Sequence, residues 1–245
     1  MTKQVAHILG VPFTTHNFDE TVADLTGRVE RGVRTHVVTA NPEIVMIARE
    51  NTSFRTVLDQ AYVVPDGIGI VYAAKWTNQP ITERVTGVEL LEALMAEADR
   101  HGWNVFLLGA APDVVQLAAE KLGNRYPGAR IVGYRDGYFR PEDEKQIVQE
   151  IAERQTQLLF VAMGAPKQDE WIARYRDQLG ATLMMGVGGS FDVVSGKVKR
   201  APLIWQKLHL EWLHRLLTMP SRWKRQLAIP RFVWTVLSEK WKSRS

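Results

Sequence analysis

Seven short apolar runs, separated by stretches whose apolar residues recur at helical spacing, constrain this chain more than any other feature of it. Val5 to Leu9, Thr35 to Thr39, Tyr62 to Val64, Asn104 to Leu108, Arg130 to Gly133, Leu158 to Met163 and Thr182 to Val187 read as strands, each running out near a glycine, proline or asparagine. Between them, Asp113 to Arg125 carries Val114, Leu117, Ala118 and Leu122, and Glu142 to Arg154 carries Ile147, Val148 and Ile151, at spacings that put them on one helix face. Alternation of this kind predicts an α/β fold: a Rossmann-like, mostly parallel sheet sandwiched by helices. No period of roughly 20 to 50 residues recurs that would indicate a solenoid.

Charge divides the chain where the alternation stops. From Lys197 to Ser245 there are twelve Lys and Arg against Glu211 and Glu239, a local charge of +10 that leaves the first 196 residues at −6. Trp205, Trp212, Trp223, Trp234 and Trp241, five of the eight tryptophans, fall in the same stretch. We therefore expect an α/β core over residues 1–195 and a basic helical appendage over 196–245. No cysteine is present, which excludes disulfides and a thiolate nucleophile and is compatible with the cytosol. The first residues lead into a strand without a long apolar stretch, so no signal peptide is expected. No uncharged apolar run reaches the roughly 18 to 20 residues that span a bilayer, so any membrane contact is expected to be peripheral.

Several strand-to-helix junctions share one pattern. Val38-Thr39-Ala40-Asn41-Pro42-Glu43, Leu108-Gly109-Ala110-Ala111-Pro112-Asp113 and Met163-Gly164-Ala165-Pro166-Lys167-Gln168 pass through small residues to a proline suited to the first helical turn. A fourth, Gly186-Val187-Gly188-Gly189-Ser190-Phe191-Asp192, uses glycines, and Gly188 and Gly189 would let backbone approach a ligand. Ligands of doubly wound sheets bind at the carboxyl ends of strands, where helix N-termini present N–H groups to anions. The junctions are therefore expected to line one crevice.

Asp66 is the most informative acid of that crevice, because Val64-Pro65-Asp66-Gly67-Ile68-Gly69-Ile70 holds it in a shaped turn. It reads equally as a ligand-facing carboxylate or as the cap of the next helix. Thr39 lies at a strand end within reach of a sugar, base or phosphate. Asn41 is either the cap before Pro42 or a ligand contact, and Gln168 is either a solvated helix residue or an amide that reads a nucleobase or sugar. Arg84, in Thr82-Glu83-Arg84-Val85-Thr86-Gly87, suits an ion pair to Glu83 as well as it suits a substrate.

Several chemistries lack their motifs. There is no Asp-x-Asp triplet, and His209 and His214, five apart, miss the i, i+4 pairing of a helical metal site. The phosphate-binding loop of P-loop enzymes, the dinucleotide fingerprint and the Gly-x-Ser-x-Gly elbow are absent as well. Neither a metal nor another cofactor is expected.

Taken together, five ordered motifs resemble the WecG/TagA/CpsF family of bacterial glycosyltransferases over nearly the whole chain. They are Thr39-Ala40-Asn41-Pro42-Glu43; Pro65-Asp66-Gly67; Gly164-Ala165-Pro166-Lys167-Gln168; Gly186 to Asp192 followed by Ser195-Gly196-Lys197-Val198-Lys199-Arg200-Ala201-Pro202; and Glu211-Trp212-Leu213-His214-Arg215. The TagA branch is the most similar. The resemblance implies an inverting, metal-independent transfer of N-acetylmannosamine from a UDP-sugar donor to the 4-hydroxyl of undecaprenyl-diphosphate-linked N-acetylglucosamine, the linkage unit of wall teichoic acid. Asp66 would be the general base, with Thr39, Asn41, Arg84, Gln168, Gly188 and Gly189 holding substrate. Arg215, Arg222 and Arg225 would close over the site and contact the diphosphate, a task suited to guanidinium where no metal offsets the charge. Asp169 departs from the Glu that many members carry there, which leaves the role of this position open. Related UDP-hexose or UDP-N-acetylmannosaminuronic acid transferases, a non-catalytic UDP-sugar-binding module and a structural envelope partner remain alternatives.

The tail carries its own expectation. Trp and aliphatic residues interleaved with Lys and Arg suit an interfacial helix on an anionic membrane surface, each basic residue contributing about 1 kcal/mol. A polyprenyl-anchored acceptor makes that contact useful, and it implies a cytoplasmic protein held at the inner face of the cell membrane. No nucleic-acid module accompanies the basic tail, so nucleic acid is not an expected partner. Packing against a second copy in a homo-oligomer is a further reading.

Overall fold

The structure is a computed structural model that describes residues 5–199, 201–202, 205, 213 and 227–242. Its main sheet has six strands: β3 (Thr35–Ala40), β4 (Tyr62–Pro65), β5 (Asn104–Gly109), β6 (Arg130–Arg135), β7 (Leu158–Ala162) and β8 (Leu183–Gly186). They lie in the order β4-β3-β8-β7-β5-β6, and every pairing is parallel. The predicted α/β sandwich is thus the observed fold. β5 and β7 are almost wholly apolar because helices cover both of their faces, whereas the edge strand β6 is half-exposed and carries Arg130 and Arg135.

One face of the sheet is covered by α1 (Phe18–Glu30), α5 (Gly87–His101), α6 (Pro112–Arg125) and the short α9 (Ser190–Val194). On the other face, α2 (Pro42–Glu50), α3 (Thr52–Gln60) and α4 (Ile68–Trp76) pack over β3 and β4, while α7 (Glu144–Glu153) and α8 (Lys167–Tyr175) pack over β5, β7 and β8. The predicted helices over 113–125 and 142–154 correspond to α6 and to α7 with its preceding 3-10 turn.

The first apolar run takes a different place from the one its pattern suggests. β1 (Val5–Ile8) pairs antiparallel with β2 (Val11–Thr14) in a separate two-stranded ribbon. Ala6, Ile8, Val11 and Phe13 point into the cluster beneath α2, α3 and α4. The sequence does not announce β2, since it is four residues long and contains Pro12, which only an edge strand tolerates.

The last described element, α10 (Ala228–Lys242), returns to the body of the molecule. Phe232 and Val236 are fully buried in the same cluster as Val38, Ala40, Ile44 and Val63. Arg231 pairs with Glu50 at 2.7 Å, and Arg49 pairs with Glu239, so the end of α2 holds the helix from two directions. Trp234 and Trp241 point outward, each 74% exposed, with Leu237 beside them. Among the described residues no helix is long and apolar enough to cross a membrane.

Candidate active site

The chain leaves β3 and its neighbour β8 in opposite directions. α2 follows β3 onto one face, whereas the segment after β8, the strand beside β3, leads to α9 on the other. Such a reversal opens a crevice at the carboxyl ends of the strands, and α2, α4, α8 and α9 all begin on that side. Their N-termini contribute partial positive charge there, which favours an anionic ligand.

Asp66 sits at the rim of this crevice, half-buried. Its N–H donates to the Ala40 carbonyl at 2.9 Å, which extends the β3–β4 pairing by one rung and ties the Asp66 turn to the end of β3. The cap of α4 is Gly67, at φ +94°, and Asp66 precedes it. Of the two readings of Asp66, the N-cap position is therefore taken by its neighbour. Glycine is also needed at 69, where a Cβ would lie 2.7 Å from the Pro42 ring. Without it α4 could not start so close to α2.

A third segment joins these two. The Val85 N–H donates to the Pro65 carbonyl at 2.7 Å, and Gly87, the first residue of α5, lies against Thr39, whose Oγ1 is 3.1 Å from where a Cβ would be. Thr39, Asp66 and Arg84 are thus contributed to one corner by β3, by the β4 turn and by the segment that leads into α5. Glu83 accepts from the Phe18 N–H at the start of α1, so part of its carboxylate is committed away from Arg84.

Asn41 is the N-cap of α2, its Oδ1 accepting from the Ile44 N–H at 3.0 Å. That occupies its acceptor and leaves its amide N–H groups for other work. Gln168 is not the solvated residue of its blander reading: it is 5% exposed. Its Oε1 accepts from the Gly164 N–H at 3.1 Å and from the Gly188 N–H at 3.0 Å. One amide oxygen therefore clasps the loops after β7 and β8, and Nε2 is the side chain's remaining hydrogen-bonding group. Gly188, at φ +50°, commits its N–H to this clasp, and the exposed Gly189 caps α9. Pro42 and Pro112 occupy first-turn positions as expected, but Pro166 is the N-cap of α8 and follows a cis peptide bond.

Arg215, Arg222 and Arg225 lie outside the described residues. Two residues that the sequence reading did not place at the site stand behind Gln168. They are Asp169, with no exposed surface, and His36 on β3, whose Nε2 is 3.4 Å from Asp169 Oδ1. A histidine inside the apolar run Thr35 to Ala40 was the available signal.

A model of the glycosyl transferase WecG/TagA/CpsF family matches residues 6–245. The chain belongs to the WecG/TagA/CpsF family. It is accordingly a glycosyltransferase, and its family resemblance rests on far more than the five motifs. A relative from Bacillus spizizenii is 42% identical over 202 residues, covering 82% of this chain and 78% of the relative. One from Bacillus subtilis is 35% identical over 238 residues, 96% of this chain and 92% of the relative. A third, from Staphylococcus aureus, is 41% identical over 205 residues, 83% and 80% of the two chains. All three are named N-acetylglucosaminyldiphosphoundecaprenol N-acetyl-beta-D-mannosaminyltransferase.

Proposed function

We propose that this family member transfers N-acetylmannosamine from its UDP donor to the 4-hydroxyl of undecaprenyl-diphosphate-linked N-acetylglucosamine, with inversion and without a metal. The names of the relatives support the donor sugar and the acceptor. The observation that carries the residue assignment is the convergence of Asp66, Thr39 and Arg84 through two backbone rungs, Asp66 to Ala40 and Val85 to Pro65.

In this mechanism the acceptor hydroxyl gives its proton to the Asp66 carboxylate as its oxygen attacks the anomeric carbon. The new carbon–oxygen bond forms as the bond to the UDP oxygen breaks, and UDP leaves with the electron pair. Asp66 suits the task because its turn is pinned to β3 while the residue itself is only half-buried. Thr39, Asn41, Arg84, Gln168 and the Gly188–Gly189 loop position the substrates. Charge on the departing diphosphate meets helix N-termini and the cations Arg215, Arg222 and Arg225.

Asp66→Asn is expected to fold and to bind UDP-N-acetylmannosamine with an affinity near wild type. Its transfer to a short-chain lipid-diphosphate acceptor should fall by roughly 10²- to 10⁴-fold. Steady-state kinetics beside donor titration calorimetry test this, and near wild-type turnover would sink the assignment.

The protein is further proposed to act at the inner face of the cell membrane, with the outward stripe of α10 among its contacts. Trp234, Leu237 and Trp241 recur at spacings of three and four, so they share one face, and Arg231 and Lys240 are carried on the same helix. Residues 196–245 would act as the appendage that completes the site and meets the membrane. A second copy docking on the same stripe would show as a change of sedimentation when Trp234 and Trp241 are replaced.

A further inference from the structure

Asp169 poses an energetic problem. Its carboxylate is fully buried, Oδ1 has His36 Nε2 at 3.4 Å, and Oδ2 has no hydrogen-bond partner among the described residues. His36 is itself only 3% exposed. Two apolar side chains of similar volume generally stabilise such an interface as well as or better than a buried polar pair. The pair is thus poorly explained by stability alone.

Its surroundings suggest a different reason. Asp169 lies in the first turn of α8, next to Gln168 in the chain, whereas His36 belongs to β3, the strand beside β8. A contact between them fixes how the start of α8 is rotated over the sheet. Rotation at that point decides where the Gln168 side chain lands, and it lands on the Gly164 and Gly188 N–H groups. Gly186 in β8 makes the arrangement sterically feasible, because a Cβ there would overlap both Asp169 Oδ1 and Gln168 Nε2. Both side chains occupy the space that this missing Cβ leaves.

We propose that His36 and Asp169 form a buried positioning pair, holding the first turn of α8 against β3 and β8 so that Gln168 spans the two glycine loops of the crevice. The pair touches no substrate and acts through Gln168. Its consequence for catalysis rests on the transfer reaction proposed above, whereas the span itself can be measured without turnover.

The experiment is backbone amide hydrogen exchange, read by NMR, in wild type, Gln168→Ala, His36→Phe and the double variant His36→Phe/Asp169→Leu. The single variant leaves a buried carboxylate without its donor and is at risk of not folding. The double variant replaces both polar partners with apolar groups, which proteins tolerate far better. In the folded double variant the Gly164 and Gly188 amides should exchange about tenfold or more faster than in wild type and approach their rates in Gln168→Ala, while β5 amides keep their protection. If both amides stay as protected in the double variant as in wild type, the pair is packing alone and the proposal fails.

Kinetics supply a second reading. The losses of transfer caused by the double variant and by Gln168→Ala should not multiply when combined, because both act on one side chain. Multiplying losses would overturn the route through Gln168. Wild-type turnover in Gln168→Ala would count against the functional assignment of that glutamine and leave the exchange result standing.

Discussion

A single missing methyl group governs the end of β8. Gly186 faces the first turn of α8, and any side chain there would collide with Asp169 and Gln168. Gly186→Ala is therefore expected to cost about 1–3 kcal/mol, the usual range for overpacking, measured by thermal or denaturant unfolding. Unchanged stability would mean that α8 moves away freely, contrary to the packing described. Residues of this kind differ in how far sequence can reveal them. Pro65-Asp66-Gly67 and Asn41-Pro42 were legible because proline, glycine and asparagine act on their own backbone, within a few positions. The clasp made by Gln168 was not, since its two partners are brought together by the pairing of β7 with β8, and nothing local to residue 168 encodes that pairing. The His36–Asp169 contact joins residues from distant segments and was hidden for the same reason.

Among the elements, α10 carries the sharpest contrast, because its two apolar faces have different surroundings. Phe232→Ala removes a fully buried ring from the cluster under α2 and α4 and should lower stability by about 3–5 kcal/mol. Trp234→Ala with Trp241→Ala changes two exposed side chains, which should leave stability within about 0.5 kcal/mol each but reduce flotation with anionic vesicles. Equal flotation with and without the two tryptophans would reject α10 as a membrane element. Composition alone offered the tail two readings, an interfacial helix and a packing surface for a second copy, since Trp is interleaved with Lys and Arg. It could not show that Phe232 and Val236 belong to the core, because a buried face is defined by what covers it. β2 escaped recognition for a related reason: four residues give too short a period, and Ala6 to Phe13 matter only as a ribbon laid on the helices.

At the scale of the molecule, the fold class was legible from the alternation of strand and helix patterns, which demands a sheet covered on both faces. Strand order was not, because β4-β3-β8-β7-β5-β6 depends on which long-range pairings form. The charge division has a measurable consequence at this scale for the proposed membrane contact: an acidic body of −6 would be repelled by the same anionic surface that would draw a tail of +10. Vesicle binding should therefore weaken steeply as salt rises toward 1 M, where the screening length is about 3 Å, leaving only the apolar contribution of the tryptophans. Salt-independent binding would remove the basic residues from the account. The arrangement of the core also bears on how the protein is made. β3 gains β8 as its neighbour only after about 150 further residues have been added, and the cluster over β3 and β4 is completed by α10, later still in the chain. A nascent chain therefore presents an unfinished sheet and an open apolar face until those segments have been made. This makes the closing step of folding a late one and the newborn chain a natural client for chaperones.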